Sequence, residues 1–203
     1  MDDTIRSLMT VGFACLLILL RLDAFRFGAA EYDDDLAPGG WRVGSLRLAW
    51  YVLGLVLAGA IVAVRPVTLL PLGLSVGNDR LGSLMVGLLA GAAGCAVAAG
   101  FAWYRYRRFR LPDGRLYPGA IANSVGTALI DEITFRGAVM GLLLAAGVPT
   151  ELALLAQALL YGIATRLGAA GRSHAMLAIF LGLGIAAGWV TLLTGGIGAA
   201  VVG

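Results

Sequence analysis

The chain has no lysine, one histidine, two cysteines and few charged residues of either sign. Charged residues are 13% of its 203 residues, whereas hydrophobic residues are 60%. A soluble domain of this size carries charge on about a quarter of its residues, so the composition excludes such a domain and places the chain in lipid. The net charge of +3 does not indicate a nucleic-acid partner, because membrane topology explains the arginine clusters better.

The scarce cysteine and histidine residues give no pattern typical of a metal centre. Cys15 and Cys95 lie in different apolar segments without metal-type spacing, and we expect both to be small buried core residues. His174 begins an apolar segment and is expected to be an interfacial polar residue. A single imidazole cannot form a two-histidine site, so we expect no bound metal and no cofactor.

Long apolar stretches predict the fold class. A membrane-spanning helix needs about 20 mostly apolar residues. The expected architecture is therefore all-α, a polytopic transmembrane helix bundle with about six spans and a truncated seventh, Gly195–Gly203. The six expected spans are Ile5–Leu22, Leu46–Val64, Leu81–Tyr104, Tyr117–Val148, Thr150–Leu167 and His174–Thr194. Segment 66–75 contains two prolines and is predicted to be interfacial or re-entrant.

Arginine positions predict the orientation of the bundle. Loops after the first, third and fifth spans hold Arg21, Arg26, Arg42, Arg47, Arg105, Arg107, Arg108, Arg110, Arg115, Arg166 and Arg172. The opposite side holds only Arg6, Arg65 and Arg80. Because arginine-rich loops stay on the cytoplasmic side, we expect those loops in the cytoplasm and the N-terminus outside, in a bacterial-type inner membrane.

Two regions are expected, an N-terminal three-span region at 1–115 and a second region at 116–203. Small residues recur four apart in both, at Gly87 and Gly91 and again at Gly184 and Gly188. Such spacing lets helix backbones approach closely. We expect helix packing within one chain, with a dimer seam as the alternative.

Three ionisable residues, Asp131, Glu132 and Arg136, interrupt the apolar stretch Leu116–Val148. Each would cost about 2.5–3.5 kcal/mol at the bilayer centre unless it pairs or faces a wet cavity. Glu132 and Arg136 are four apart and can pair on one helix face. The cluster is either an ion-pair knot joining helices or a carboxylate site that activates water, and sequence physics alone leaves both interpretations open.

The same residues carry a family resemblance. Asp131-Glu132-x-x-x-Arg136-Gly137 resembles the Glu-Glu-x-x-x-Arg motif of the CPBP family, the Abi-like group of CAAX prenyl proteases and bacteriocin-processing intramembrane proteases. Leu159–Thr165 stands where that family has Phe-x-x-x-His, and Gly188–Ile197 resembles its Gly-Trp-x-x-x-x-Thr-Gly-Ser-Leu segment. The resemblance covers about Ala120 to Gly203 and makes 116–203 a CPBP-like core, expected to be truncated at its C-terminal end.

The resemblance implies that a first glutamate and a histidine on the next helix activate water. Here Asp131 replaces that glutamate, and Thr165 stands at the histidine position, where it can supply neither a base nor an imidazole ligand. Gln157, Tyr161 and Thr165 are four apart and should share one helix face that could hydrogen-bond the carboxylates. Other polar groups that could meet the cluster are Asn123, Ser124, Thr127 and Thr134.

These departures favour a catalytically degenerate CPBP-like protein that acts as a membrane scaffold or binding subunit. Its expected partners are the lipid bilayer and a membrane protein or a second copy of the chain. One alternative is an active intramembrane endopeptidase that uses Asp131 as base, with Glu132 and Arg136 in support. The other is a small transporter, or a pigment- or redox-complex subunit, in which the buried carboxylates relay protons or His174 binds a cofactor.

Overall fold

The computed structural model of the chain describes residues 2–27, 41–64, 74–107, 117–168 and 174–203. The regular elements in these ranges are all helical, which confirms the predicted all-α class. They are α1 (Asp3–Leu22), α2 (Trp41–Val64), α3 (Arg80–Tyr106), α4 (Tyr117–Asp131), α5 (Gly141–Ala145), α6 (Thr150–Gly168), α7 (His174–Thr194) and α8 (Gly198–Val202). Between α4 and α5 the chain runs without a break through a π-helix, Glu132–Met140, here called the π segment.

Four of the described helices are long and apolar enough to cross a membrane, and the count of six spans stays a prediction. The four stretches are Asp3–Leu22, Ser45–Val64, Arg80–Val97 and Leu177–Thr194. The helix from Tyr117 to Ala145 is long, but its charged cluster and π segment interrupt the apolar run. The apolar part of α6, Thr150–Thr165, is too short by the same measure. The chain is thus a helical membrane bundle with four uninterrupted apolar spans in its described part.

The π segment lies in the middle of the bundle. It contacts α1, α2, α4, α6 and α7, so residues on it meet side chains from several parts of the sequence. On one side α1 and α2 pack together around Leu17, Trp50 and Ile61, all of which are fully buried. The indole Nε1 of Trp50 donates to the Leu20 carbonyl at 2.9 Å, and this bond fixes the last turn of α1 against α2.

The outward faces of the helices are apolar, as lipid requires. Leu8, Leu89 and Leu193 each expose about two-thirds of their surface. Such faces would be interaction or aggregation sites in water, but in a bilayer they meet hydrocarbon. Cys15 and Cys95 are also exposed, so the expectation that both are core residues is wrong. Hydrophobicity does not separate core from surface when the solvent is itself apolar.

The small-residue pairs make contacts within the chain, as expected of helix packing. Gly87 and Gly91 on α3 face α8, where a Cβ on Gly87 would come within 2.7 Å of the Ala199 carbonyl oxygen. Gly184 on α7 lies against the α6 backbone, and its Cβ would be 3.0 Å from the Ala158 Cα. Residues 66–73 of the predicted re-entrant segment lie outside the described residues. The division at residue 115 stays a prediction.

Candidate functional site: a buried double ion pair

Two ion pairs lie side by side at the start of the π segment. Arg21 Nη2 is 3.1 Å from Asp131 Oδ2, and Arg136 Nη1 is 3.1 Å from Glu132 Oε1. All four side chains are more than nine-tenths buried. Since removing a charge from water is costly unless it is paired, each carboxylate here has its own guanidinium. The cluster is therefore electrically balanced in the centre of the bundle.

Arg21 is the member of the cluster that sequence reasoning missed. It was assigned to the first cytoplasmic loop, but it lies in the last turn of α1 and is 3% exposed. The assignment fails because an arginine at the end of an apolar span looks like a topology signal when its partner is unknown. The available signal was Asp131 itself, which is adjacent to Glu132 and needs a second cation that its own helix does not supply.

The spacing of Glu132 and Arg136 predicted their contact, and the structure places them together. Their 3.1 Å approach is an ionic contact outside hydrogen-bonding angles, and Arg136 Nη1 has no hydrogen bond in the described structure. The π backbone accounts for this oblique approach. Its turn is one residue wider than an α turn, so side chains four apart are offset.

Tyr161 on α6 forms the other wall beside Arg136. The guanidinium carbon Cζ lies 4.4 Å from the centre of the Tyr161 ring, a cation–π contact. Phe135 and Phe180 meet the same ring edge-on, with centroids 5.3 and 6.1 Å away. The π segment is thereby attached to α6 and α7 through one aromatic side chain.

The other polar residues proposed for the cluster make different contacts. Gln157 lies on the face that could hydrogen-bond the carboxylates, and its Nε2 donates to the Gly184 carbonyl at 2.8 Å and joins α6 to α7. The Thr127 hydroxyl lies 3.1 Å from the Tyr51 hydroxyl. Thr134 donates to the Ile130 carbonyl of its own helix at 2.6 Å. Thr165 is buried, and its Oγ1 has no hydrogen-bond partner among the described residues.

The segment Gly188–Ile197 has a packing role that the sequence did not reveal. Ser75 Oγ donates to the Gly195 carbonyl at 2.8 Å, and the backbone N–H of Asn78 donates to the Thr194 carbonyl at 2.8 Å. Gly195 has φ +71, a left-handed conformation that favours glycine. A Cβ on Gly196 would collide with the Ser75 carbonyl oxygen. The absence of side chains on these glycines leaves room for the residues that precede α3.

Comparison with known families agrees with the resemblance stated above. A family model described as type II CAAX prenyl endopeptidase Rce1-like matches residues 114–203. The similarity to the Rce1-like family thus covers slightly less than half of the chain. No curated protein and no solved structure has significant similarity to the chain.

Asp131, Glu132, Arg136, Tyr161 and Thr165 all lie within the Rce1-like part of the chain. Arg21 lies outside it, so a residue beyond the matched region completes the ion-pair cluster. Asp131 contacts the Arg21 guanidinium, and the Thr165 side chain offers a hydroxyl. Within the described residues, no three His, Cys, Asp or Glu side chains gather as a metal site would require.

Two residues considered for the site cannot be placed in it. The side chains of Asn123 and His174 lie outside the described part of the structure, although α4 and α7 include their backbones. Ser124, also considered, is exposed.

Proposed function

We propose that this Rce1-like protein is catalytically degenerate and acts as a membrane scaffold or binding subunit. The observation that carries the proposal is the 3.1 Å contact of Asp131 Oδ2 with Arg21 Nη2, both almost fully buried. In the family resemblance, Asp131 stands at the first carboxylate, the one that would activate water. Here that carboxylate is held in an ion pair that contributes to the packing of α1.

A base must be free to take a proton at the moment water attacks. A carboxylate oxygen held by a guanidinium has to leave that contact before it can take a proton from water. Asp131 also has a side chain one methylene shorter than glutamate, and a displacement of about 1 Å from the productive geometry can cost on the order of 10²-fold in rate. Both effects oppose hydrolysis.

Thr165 provides independent support. A hydroxyl neither accepts protons at neutral pH nor replaces imidazole as a metal ligand. Arg136 is engaged by the Tyr161 ring and by Glu132, so it is part of the same packed unit. What remains of the site is a set of polar contacts that join α1, the π segment and α6.

The outer surface of α3 favours the proposal of a partner in the membrane. Apart from the nearby backbone of α3 itself, no described atom lies within 4 Å of a Cβ built on Gly94 or Gly100, whereas Gly87 and Gly91 on the same helix are covered by α8 and Gly203. Small residues on a lipid-facing helix permit close approach by another helix. We propose a membrane protein or a second copy of this chain as the partner.

We further propose that the N-terminus lies outside and that the arginine-rich loops are cytoplasmic, in a bacterial-type inner membrane. Because Arg21 is buried in the bundle, ten arginines remain on the expected cytoplasmic side against three on the opposite side. This excess still favours the same orientation. Labelling of cysteines introduced into the first loop, in intact cells and in inverted vesicles, distinguishes the two orientations.

An active intramembrane endopeptidase is the second candidate. It is favoured by Glu132 Oε2, a buried carboxylate oxygen without a hydrogen-bond partner in the described structure, and by the π segment, since π turns are frequent at functional sites. In this candidate, Asp131 would have to leave Arg21 before it could act on water.

Proteolysis by purified protein in liposomes separates the two candidates. We expect no cleavage of membrane-embedded peptides or of prenylated CAAX peptides by the wild type. We expect Asp131→Ala to lower the melting temperature, because Arg21 would be left as an unpaired buried charge. The matched control is Asp23→Ala, which removes the acid of an exposed pair with Arg26. Robust cleavage by the wild type, abolished in an Asp131→Ala protein that is still folded, would overturn the proposal.

A further inference from the structure

Besides Arg136 Nη1, which is in ionic contact with Glu132, three buried polar atoms of Glu132, Arg136 and Thr165 have no hydrogen-bond partner among the described residues. They are Glu132 Oε2, Arg136 Nε and Thr165 Oγ1. Their residues are 6%, 2% and 4% exposed, so neither bulk water nor headgroups reach them freely. Buried polar atoms in folded proteins are almost always hydrogen-bonded, to protein or to ordered water.

The three atoms belong to one region of the bundle. Glu132 and Arg136 are in ionic contact, and Arg136 lies over the ring of Tyr161. Thr165 follows Tyr161 by one turn on the same face of α6, and α6 packs directly against the π segment. The unpartnered groups therefore lie between the π segment and one turn of α6.

Their chemistry defines what can bind there. Arg136 Nε only donates a hydrogen bond, Glu132 Oε2 in its ionised form only accepts one, and the Thr165 hydroxyl does both. A single ion cannot serve all three groups, because a cation is repelled by Arg136 and an anion is repelled by Glu132. A neutral group with both a donor and an acceptor can serve all of them, and water is the smallest such group. A buried water needs two to four polar partners, which this region supplies.

We propose that the π segment and α6 enclose a hydration site inside the bundle, in which ordered water bridges Glu132, Arg136 and Thr165. Water held there links the Glu132–Arg136 pair to α6, and Gln157 Oε1, a further unpartnered atom on the same α6 face, extends the polar surface. This site is separate from Asp131, which is held by Arg21, and it does not depend on whether the protein is an enzyme.

Hydroxyl-radical footprinting of the protein in lipid nanodiscs tests the proposal. Radicals produced from bound water modify the side chains beside it, so Tyr161, which is half-buried and in contact with Arg136, should be modified. Trp50 is the internal reference, since its indole is fully buried in the apolar α1–α2 core and is intrinsically more reactive than a phenol. We expect Tyr161 to be modified at least as fast as Trp50. Modification of Tyr161 well below that of Trp50 would overturn the proposal.

A pair of isosteric substitutions adds a second readout. Thr165→Val removes the hydroxyl that we assign to water, and we expect several-fold slower modification of Tyr161 and a lower melting temperature. Thr191→Val is the control, because the Thr191 hydroxyl is equally buried but bonds to the Ala187 carbonyl of its own helix. It should leave Tyr161 modification unchanged. A higher melting temperature in Thr165→Val would show a dry, unsatisfied hydroxyl and contradict the proposal. If Thr165→Val does not fold, the wild-type comparison of Tyr161 with Trp50 decides.

Discussion

The centre of the bundle and its margin are held together by different kinds of contact. In the centre, Arg21 pairs with Asp131, Glu132 pairs with Arg136, and the Tyr161 ring covers the Arg136 guanidinium. At the margin, α3 meets α8 through glycines and backbone atoms. Lipid removes the hydrophobic drive between helices, so association depends on polar contacts or on close van der Waals packing. This chain uses the two means in separate places.

The difference also separates the matched region from the rest of the chain. The central cluster draws Arg21 from α1 into the Rce1-like region, so the N-terminal region contributes a charge to the site. The marginal contacts use residues that any close-packed membrane bundle could use. A substitution in the centre should therefore expose a charge, whereas one at the margin should only disturb packing.

The largest effect is expected from breaking the Arg21–Asp131 pair. Arg21→Met leaves Asp131 as an uncompensated buried charge and should lower the free energy of unfolding by about 3–5 kcal/mol. Arg21→Met combined with Asp131→Leu removes both charges and should recover most of that loss. Denaturant titration in detergent measures all three proteins.

The matched control for that pair is exposed. Arg26→Ala breaks the contact of Arg26 with Asp23, whose side chains are 79% and 46% exposed, and should cost about 0–1 kcal/mol. An Arg21→Met protein no less stable than Arg26→Ala would mean that the central pair does not hold the bundle. The distinction between centre and margin would then fail.

The sequence predicted the parts of this site that are local. Apolar runs located the helices, and a four-residue spacing located the Glu132–Arg136 pair. It could not predict the Arg21–Asp131 pair, because the two residues lie on different helices, and the sequence does not say which turns of α1 and α4 pack side by side. Gln157 was placed on a polar face correctly, but helical spacing does not decide which neighbour that face meets, and the neighbour is the Gly184 carbonyl.

The π segment and the packing role of Gly188–Ile197 were also beyond sequence reasoning. A π turn depends on how surrounding helices pack, and nothing in Glu132–Met140 marks it by composition. In the sequence, Gly195 and Gly196 begin the expected truncated span, whereas in the structure they leave room for the chain at Ser75–Asn78. Tertiary contacts decided these features.

A smaller effect is expected from crowding the margin. Gly196→Ala places a Cβ against the backbone at Ser75 and Gly77, which cannot rotate away as a side chain would. Overpacking of this kind costs about 1–3 kcal/mol. Gly94→Ala is the control, since a Cβ there meets no atom of the described residues within 4 Å. Equal melting temperatures for the two variants would show that the contact between the 75–79 segment and Gly195–Gly198 does not stabilise the fold.

The smallest effect is expected at the aromatic wall. Tyr161→Leu removes the ring beneath the Arg136 guanidinium, and a cation–π contact of this kind contributes about 0.5–2 kcal/mol. Tyr161→Phe keeps the ring and should keep most of that stability. Phe180→Leu removes an edge-on neighbour of the same ring without removing the contact with the cation, so it controls for lost aromatic packing. If Tyr161→Leu and Phe180→Leu lower the melting temperature equally, the Tyr161 ring contributes only hydrophobic packing. The two ion pairs would then be the electrostatic contacts that stabilise the centre.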